Sequence, residues 1–417
     1  MVEILPFNGI RYAEDIDIEK VVALPYDVIS DEAREEYYDR HEDNIIRLIL
    51  GRKYEDDTPE NNCYTRAGAY FNKWLEEGVL RQDERPSIYL LEQEYSVGGK
   101  KKRMLGIISL VKLEEFENGA ILPHEETLTS AIDDRLNLMS ACNANLSQIF
   151  AMYSDPEGIV EGIVAEETKR PPVAEVSTDG VLSRLWKVDH PDIIARVKAQ
   201  MKEKKLFIAD GHHRYATALV MRDRMRERTG SHEYDYTMIC YTNMDSGGIT
   251  ILPAHRLLSN VNFDASKMQK MEEYFDIDTV DQIQMFEKLR EMNKTHHVFG
   301  MCFDDRCYLL KLKDENVMDS VIDSKKSRGW KRLDVTIIHA LLIELIVDGP
   351  DHISYIVNEK EAARKAEEEG NLVLFVNPTK VDEVKKIALN REKMPGKATY
   401  FYPKLLTGLV MNRFHND

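Results

Sequence analysis

A strand, a glycine and a helix follow one another directly near the middle of this chain. Residues 206–209 form a short apolar run that ends at Asp210, a pattern that predicts a buried strand. Gly211 then permits a tight turn, and the strong helix formers after it predict a helix from about position 212. The first turn of a helix has unpaired backbone N–H groups and the positive end of the dipole, so it favours an anion.

Three side chains that carry or can carry positive charge occupy this first turn. His212, His213 and Arg214 follow the glycine directly, although cations are normally disfavoured at a helix N-terminus. A bound anion, most simply a phosphate, explains their position. The alternative is a surface turn whose histidines hydrogen-bond to the backbone.

Composition narrows the classes of function. The chain has 417 residues, a formal net charge of −17 and 43% hydrophobic residues, which is typical of an ordinary soluble protein with two or three domains. The negative charge disfavours binding to DNA. No apolar run reaches the length of a membrane span, and no cleavable signal opens the chain. Five cysteines without a Cys-x-x-Cys pair predict neither a zinc site nor a disulfide framework, so a cytoplasmic location is expected.

A second polar block precedes the central strand. His124 and Glu125 come directly after a proline, Asp134 and Arg135 are adjacent on a predicted helix, and Asn145 follows in a third polar stretch. The unperturbed pKa of a histidine lies near neutrality, so His124 could act as a general acid or base. Glu125 or Asp134 could hold Mg²⁺ together with phosphate oxygens. The alternative is a buried polar network that closes a loop.

Four further residues are candidates for the same site. A predicted strand broken by a proline contains Asp27, and a second predicted strand, residues 44–50, contains Arg47. A charge inside an apolar run must reach solvent or pair with another charge. His255 and Arg256 stand at the end of a later predicted strand. For each of these residues a purely structural role is the alternative.

The run from Asp210 to Tyr215 resembles the diagnostic motif of the domain-of-unknown-function family 1015. Other stretches match that family as well, namely Pro-Tyr-Asp-Val-Ile at 25–29, Asn-x-x-Arg at 44–47, His-Glu-x-Thr at 124–127, Asp-Arg at 134–135, Ala-Asn at 144–145 and the tail at 393–404. The resemblance covers nearly the whole chain. It implies that Tyr26, Asp27 and Arg47 lie near one cleft.

The same central box also resembles the ParB/sulfiredoxin superfamily, in which a Gly-x-x-Arg box opens a helix and holds a nucleotide phosphate. That superfamily includes partition nucleotidases, sulfinic-acid reductases and free-serine kinases. The resemblance implies an α+β fold with a ParB/sulfiredoxin-like mixed-sheet core at residues 1–257, which would bind phosphate or nucleotide. A second α+β domain is expected at residues 258–417, and its tail, with Lys397 and Lys404, could return to the cleft. His212 stands where sulfiredoxins have a cysteine, which argues against sulfinic reduction.

Together these features predict a nucleotide-dependent phosphotransferase, kinase-like, or a nucleotidase that acts on a small molecule. The expected cofactors are Mg²⁺, held by Asp134, and ATP, ADP or another nucleotide. The predicted catalytic residues are His124, Glu125, Asp210 and His212. The predicted phosphate- or nucleotide-binding residues are Gly211, His213, Arg214, Arg135, Asn145, Asp27, Arg47, His255 and Arg256. The alternatives are a non-catalytic nucleotide-binding regulator of ParB-like type and a metal-dependent hydrolase that uses the histidines.

Overall fold

A computed structural model of the protein describes residues 1–322, 325–344 and 353–414. The chain forms two compact units, one of Met1–Thr250 with Pro403–Asp417 and one of Ile251–Tyr402. Both units mix helices with strands, so the predicted α+β class is confirmed. The ParB/sulfiredoxin-like core and the division at residues 257 and 258 stay predictions. None of the described helices is both long and apolar enough to cross a membrane.

The helices of the described residues are numbered here in chain order. In the first unit they are α1 (Ile18–Val21), α2 (Asp31–Arg40), α3 (Ile46–Ile49), α4 (Cys63–Glu76), α5 (Thr129–Cys142), α6 (Ile159–Val164), α7 (Pro191–Met201) and α8 (His212–Thr229). In the second unit they are α9 (Ala265–Tyr274), α10 (Gln282–Met292), α11 (Val317–Val321), α12 (Arg328–Lys331), α13 (Asp334–Ile338), α14 (Glu359–Ala366) and α15 (Val381–Leu389). A π-helical turn, His339–Ile343, continues α13 directly.

The strands are numbered in the same way. They are β1 (Ile4–Leu5), β2 (Ile10–Tyr12), β3 (Leu80–Gln82), β4 (Ile88–Val97), β5 (Lys100–Lys112), β6 (Ile121–Leu122), β7 (Ala144–Asn145), β8 (Ile149–Tyr153), β9 (Ala174–Thr178), β10 (Val181–Val188), β11 (Leu206–Asp210), β12 (Tyr236–Asn243), β13 (Thr250–Leu252), β14 (His255–Leu258), β15 (Phe275–Val280), β16 (Val298–Phe303), β17 (Arg306–Leu312), β18 (Ile353–Ile356), β19 (Leu372–Phe375), β20 (Tyr400–Tyr402) and β21 (Asn412–Arg413).

The first unit is built on a nine-stranded mixed sheet. Its strand order is β6-β11-β8-β12-β5-β4-β10-β9, and β1 pairs with β5. The strand β11 runs parallel to β6 and antiparallel to β8. All residues of β11 except Asp210 are buried, and Leu206 and Ile208 belong to the main core of the unit with Tyr215 and Ala218 of α8. Packing of α8 on this core therefore fixes the turn that joins it to β11.

The second unit is built on a six-stranded sheet of order β15-β17-β16-β19-β14-β18. The strand β14 lies between β18 and β19 and is antiparallel to both. One face of this sheet packs on a core that includes Leu258 with Ile338 and Leu342, and the other face packs on a core that includes Leu257 and Phe375. Because side chains alternate along a strand, neighbouring residues of β14 belong to different cores.

Several local predictions were wrong. Residues 44–50 form the short helix α3 instead of a strand, because a short apolar run suits a buried helical turn equally well. The strand predicted around Pro25 is a single bridge at Ala23 followed by a 3₁₀ turn, Tyr26–Val28. The Ile- and Leu-rich residues 331–346 predict one helix, but the structure divides them between α12, α13 and the π-helical turn. Residues 345 and 346 of that prediction lie outside the described residues.

Cys302 and Cys307 form a disulfide, contrary to the expectation from the cysteine spacing. The two residues face each other on β16 and β17, at the ends of a hairpin whose turn contains Asp304 and Asp305. The turn brings the two sulfur atoms together, and no Cys-x-x-Cys spacing is needed for that. Cys63, Cys142 and Cys240 are free and buried.

Candidate functional site

The site predicted around residue 211 lies where β11 meets α8. Asp210 ends the strand, Gly211 has φ 88° in the left-handed region, and α8 begins at His212, as predicted. A Cβ atom on Gly211 would lie 2.9 Å from the Nε and Nη2 atoms of Arg214. The left-handed backbone conformation therefore favours glycine, and a side chain here would also have to displace the guanidinium of Arg214. No side chain caps the N-terminus of α8.

Asp210 is held by the two groups that face its carboxylate. Its Oδ1 accepts a hydrogen bond of 2.8 Å from the backbone N–H of Gly211, and its Oδ2 accepts one of 3.0 Å from the ammonium of Lys404. Burial alone would raise the pKa of Asp210, but the charges of Lys404 and Arg214 outweigh it and lower that pKa to about 2. Lys404 thus reaches the site from the closing segment of the chain.

His124 and His212 form an edge-to-face pair with ring centroids 4.6 Å apart. The backbone N–H of His124 donates to Nε2 of His212 over 3.3 Å, so the proton of a neutral His212 ring lies on Nδ1, 3.4 Å from Oε2 of Glu125. The Nδ1 of His124 donates to the carbonyl of Ile208 over 2.8 Å. Burial, with a smaller effect of His212, lowers the pKa of His124 to about 3. Both imidazoles therefore tie residues 124–125 to the strand and the helix.

His213 and Arg214 contact two other segments. The Nε2 of His213 accepts a hydrogen bond of 3.0 Å from the backbone N–H of Leu128, so His213 anchors the same loop as His212. The guanidinium of Arg214 turns the other way and donates to the carbonyl of Gln148 and, over 3.4 Å, to the hydroxyl of Ser147. The three side chains of the first turn thus organise the surrounding loops, and Arg214 is the one that lines a cavity.

That cavity has a volume of about 40 Å³. It lies between Arg214 and Arg135 and is also bordered by Asn145, Ser147 and Thr217. By this measure a water molecule needs roughly 10–15 Å³, so the cavity has room for a few waters or a small anion. The rest of its wall is mainly apolar, and its two positive groups, the guanidinium groups of Arg135 and Arg214, already donate to protein acceptors.

Arg135 and Asp134 lie in a dense network on α5. The guanidinium of Arg135 hydrogen-bonds to the carboxylate of Asp134 and to the carbonyl of Ile49, and its carbon lies 3.8 Å from the ring centroid of Tyr26. The other oxygen of Asp134 accepts a hydrogen bond of 2.7 Å from the hydroxyl of Tyr64. Burial would raise the pKa of Asp134, but Arg135 and Tyr64 together lower it. The carboxylate is therefore ionised and already engaged.

Two of the predicted binding residues, Arg47 and Asn145, have structural contacts within the protein, and a third, Asp27, is exposed. Arg47 donates to the carbonyls of Tyr38 and Glu42, at the C-terminal end of α2, where cations are favoured. The side-chain oxygen of Asn145 accepts from the backbone N–H of Met238 over 3.3 Å, while Asn145 also borders the cavity. Asp27 is exposed in the 3₁₀ turn beside Tyr26. Their roles in ligand binding stay predictions.

His255 and Arg256 lie on β14 of the second unit. Both are buried, at 3% and 0% exposure respectively. The Nδ1 of His255 accepts a hydrogen bond of 3.3 Å from the backbone N–H of Val376, and Nη1 of Arg256 donates to the carbonyl of Ala254. Their membership of the phosphate site stays a prediction.

The described residues do not fit a magnesium site made by the protein alone. No group of three or more His, Cys, Asp or Glu side chains within them is arranged to hold a metal. The two oxygens of Asp134 and the two oxygens of Asp210 already have partners. Mg²⁺ commonly uses one or two carboxylates together with substrate phosphates, so the predicted role of Asp134 stays a prediction and no step is assigned to the metal.

Sequence reasoning missed two contributors to this site, Gln148 and Ser147, and placed Tyr26 near the cleft through the family resemblance alone. Gln148 supplies the carbonyl that holds Arg214, Ser147 supplies a hydroxyl, and Tyr26 covers the guanidinium of Arg135. The run Ala-Asn-Leu-Ser-Gln at 144–148 was the available signal, because polar residues directly before a buried strand often lie at the edge of a site.

These features define an α+β protein in which an uncapped helix N-terminus lies beside arginine, lysine and carboxylate groups. The chain belongs to the family described as Protein of unknown function (DUF1015), whose model matches residues 4–336. A comparison with curated proteins finds no match.

Among solved structures, the chain is similar to SbnI with a C-terminal truncation from Staphylococcus aureus, at 10% identity and a TM-score of 0.37, covering 72% of this chain and 85% of that chain. It is also similar to a free serine kinase variant in complex with ADP, at 10% identity and a TM-score of 0.34, covering 69% and 86%. A conserved hypothetical protein from Pyrococcus furiosus gives 12% identity, a TM-score of 0.31 and coverage of 69% and 89%. Similarity at this level defines neither a shared activity nor a shared ligand.

Proposed function

We propose that the first unit is a nucleotide-dependent phosphotransferase, kinase-like, that acts on a small molecule and holds a phosphate at the N-terminus of α8. One observation carries this proposal: the first turn of α8 has no side-chain cap and lies beside Arg214 and the Lys404–Asp210 pair. Backbone N–H groups, the helix dipole and two cations converge there, which is the combination that binds phosphate.

The arrangement suits phosphoryl transfer because that chemistry depends mainly on positioning and on neutralising charge. Arg214 and Lys404 supply two positive charges, and the amide groups of the first turn add partial positive charge. The hydrogen bond between Asp210 and the N–H of Gly211 keeps the turn in one conformation. The protein therefore offers a rigid anion-binding surface, in which little reorganisation is needed during transfer.

The carboxylate of Asp210 is the group we assign to the acceptor. Its pKa of about 2 keeps it ionised at neutral pH, and each of its partnered oxygens has a second lone pair, so it can orient an acceptor hydroxyl by accepting its hydrogen bond. His124, with a pKa of about 3, is neutral at pH 7 and far from the pKa that suits a general base. We therefore assign His124 and His212 to positioning of the loop and Glu125 to orientation of the His212 ring.

The size of the cavity places one constraint on this proposal. At about 40 Å³ it can take a phosphate group but not a base and a ribose. A phosphate at the N-terminus of α8 would therefore touch this cavity through Arg214, the one described residue of the first turn that lines it, and the rest of the nucleotide would lie outside it. This predicts that inorganic phosphate competes with the nucleotide.

The test is isothermal titration of the full chain with ATP and ADP, each with and without Mg²⁺, together with the variant Arg214→Met. Removing a charge-assisted contact to phosphate should weaken binding by roughly tenfold or more. Arg224→Met is the matched control, since Arg224 is an exposed residue of the same helix, and it should bind as the wild type does. Equal affinities for Arg214→Met and the wild type would refute the phosphate site.

A second candidate function is a non-catalytic nucleotide-binding regulator. It is favoured by the two imidazoles, because His124 and His212 are engaged in holding the loop. Phosphate release and transfer from ATP, measured with the wild type and with Asp210→Asn, separate the two functions. Turnover by the wild type that falls in Asp210→Asn while ATP affinity is kept supports the enzyme, whereas binding without turnover supports the regulator.

A further inference from the structure

Arg256 is a buried guanidinium on β14, the strand next to the edge strand β18 in the sheet of the second unit. It is 0% exposed, and β14 lies between two neighbouring strands. Its Nη1 donates to the carbonyl of Ala254, but among the described residues no hydrogen-bond partner is present for its Nε or Nη2. No carboxylate in the described ranges forms an ion pair with it either. A buried charge without a partner is costly, so its position needs an explanation.

The two nitrogens without partners lie on the same edge of the guanidinium. Nε–H and one N–H of Nη2 point in parallel from that edge, with the spacing of the two oxygens of a carboxylate or a phosphate. The third nitrogen, Nη1, already donates a hydrogen bond to the backbone carbonyl of Ala254. The protein thus holds Arg256 by one end and leaves the bidentate edge without a protein acceptor.

A histidine on a helix lies within the field of the same charge. Arg256 and Leu258 share a face of the sheet by strand alternation, and Leu258 packs with Ile338, which precedes His339 directly. The Nε2 of His339 is buried and has no partner among the described residues. Burial, and then the charge of Arg256, lower the pKa of His339 to about 4. His339 also opens the π-helical turn, and such turns often occur at functional sites.

Tyr355 lies beside the guanidinium on the neighbouring strand β18. It faces Arg256 in the strand register, and its ring centroid lies 5.6 Å from the guanidinium carbon. The ring partly offsets the charge through a cation–π contact. Tyr355 is 37% exposed, so the residue that faces Arg256 in the strand register itself reaches solvent.

We propose that Arg256 and His339 form a binding site for a small oxyanion, a carboxylate or phosphate group carried by a small molecule. The anion would accept two parallel hydrogen bonds from Nε and Nη2 of Arg256 and a third from Nε2–H of His339. His255 is excluded from this site, because its ring packs on Phe375 in the core on the opposite face. This site does not depend on the proposed function of the first unit.

The test measures thermal stability and isothermal titration of the full chain with sodium phosphate and with sodium acetate, at constant ionic strength held with sodium chloride. All measurements are made in an Arg214→Met background, which removes the predicted phosphate ligand of the first unit. A ligand that binds only the folded state raises the melting temperature. We expect a rise with at least one of the two anions, and the stronger of the two identifies the ligand class.

Two substitutions of Arg256 then locate the binding. Arg256→Lys keeps the charge but loses the planar edge, and Arg256→Met loses both, so each should weaken anion binding by roughly tenfold or more. His339→Gln, which keeps a donor, should weaken it by roughly threefold. Arg290→Met is the matched control, because Arg290 pairs with Glu359 on the surface of the same unit, and it should leave binding unchanged.

Two results would overturn the site. The first is an Arg214→Met protein whose melting temperature responds to neither anion. The second is an Arg256→Lys protein that binds both anions as tightly as its parent. If Arg256→Met does not fold, Arg256→Lys and His339→Gln still test the anion site, since both variants keep a polar group at the same place. Loss of ATP binding in Arg214→Met with retained anion binding separates this site from the one on α8.

Discussion

Lys404 is a partly buried cation and Arg256 is a fully buried one, and the groups around them differ. The side chain of Lys404 is 10% exposed and pairs with Asp210, which in turn accepts a hydrogen bond from Gly211. Arg256 is fully buried and has one backbone acceptor, while its bidentate edge has no partner among the described residues. The first cluster is complete within the protein and the second is not, which indicates that the second one needs a ligand.

The pKa is lowered in both clusters, but the two shifts have opposite effects on the charged form. Against the effect of burial, Lys404 and Arg214 lower the pKa of Asp210 to about 2, so that cluster favours its charged form. Burial lowers the pKa of Arg256 to about 10, so the second cluster disfavours its charge. In the complete cluster the charged groups hold one another in place, and a ligand can bind beside them. In the incomplete cluster the ligand would supply the missing hydrogen-bond acceptor.

The largest expected effect is the difference in stability between two variants, one that removes the cation of the complete cluster and one that removes the cation of the incomplete cluster. Lys404→Met leaves Asp210 ionised, partly buried and without its partner, so the free energy of unfolding should fall by about 3 kcal/mol. Arg256→Met removes a charge that no described carboxylate neutralises, so in buffer free of phosphate and carboxylate it should leave stability unchanged or raise it. Urea unfolding of both variants measures the contrast.

The exposed ion pair of Lys112 with Glu3 provides the control for that experiment. Lys112→Met should cost less than about 1 kcal/mol, as is usual for surface pairs. The double variant Asp210→Asn with Lys404→Met should recover part of the loss, because no charge is then left without a partner. A loss of about 3 kcal/mol in Arg256→Met would contradict the comparison.

A smaller effect is expected at the turn that carries the complete cluster. Gly211→Ala should destabilise the protein by about 2 kcal/mol, because an alanine at φ 88° is strained and its Cβ would meet the guanidinium of Arg214. Gly99→Ala is the control: Gly99 has φ 73° with nothing within 4 Å of the added Cβ, so it should cost about 1 kcal/mol.

The difference between the two glycine variants measures the contact with Arg214. Combining Gly211→Ala with Arg214→Met should reduce the cost of the alanine to that at Gly99. Equal losses in Gly211→Ala and Gly99→Ala would mean that the guanidinium moves aside freely, and the proposed rigid anion-binding surface would then fail.

The centre of the site could be predicted from local sequence patterns, but the contacts between distant residues could not. The strand at 206–210, the turn at Gly211 and the helix from His212 follow from neighbouring residues, and all three are confirmed. The contact between Lys404 and Asp210 joins residues 194 positions apart. The sequence could suggest that the C-terminal segment contacts the cleft, but no local pattern shows that Lys404 pairs with Asp210.

Other errors arose where one pattern is compatible with two structures. Residues 44–50 are apolar with one charge, which fits a strand and a buried helical turn alike, and α3 forms there. Similarly, the sequence shows that Arg256 follows His255, but strand alternation places the two on opposite faces of the sheet. Whether a charged side chain has a partner depends on its neighbours in space, so the incomplete cluster became visible in the structure alone.

The smallest effect is the pH dependence of stability that comes from His124, which lies within the field of Asp210 in the complete cluster. The pKa of His124 is lowered from 6.5 to about 3, mainly by burial, so the folded state binds a proton less readily than the unfolded chain. The stability contributed by the neutral ring is fully present above pH 6.5 and is lost as the pH falls towards 3. Between pH 6.5 and about pH 5.5 the loss should be about 1 kcal/mol. His124→Asn, whose amide can still donate to the carbonyl of Ile208, should remove that part of the slope, and urea unfolding across this range measures it.

His190→Asn is the control for this measurement, because it makes the same substitution at an exposed histidine of the first unit. His255 and His339 of the second unit have pKa values lowered to about 4 by burial, so they keep a slope of the same sign in the His124→Asn protein. An anion held by Arg256 would favour protonated His339 and raise its pKa, so phosphate or acetate should reduce the remaining slope. If the slope of His124→Asn equals that of the wild type, the imidazole of His124 is not held neutral in the folded protein, and its assigned role as a loop anchor would be wrong.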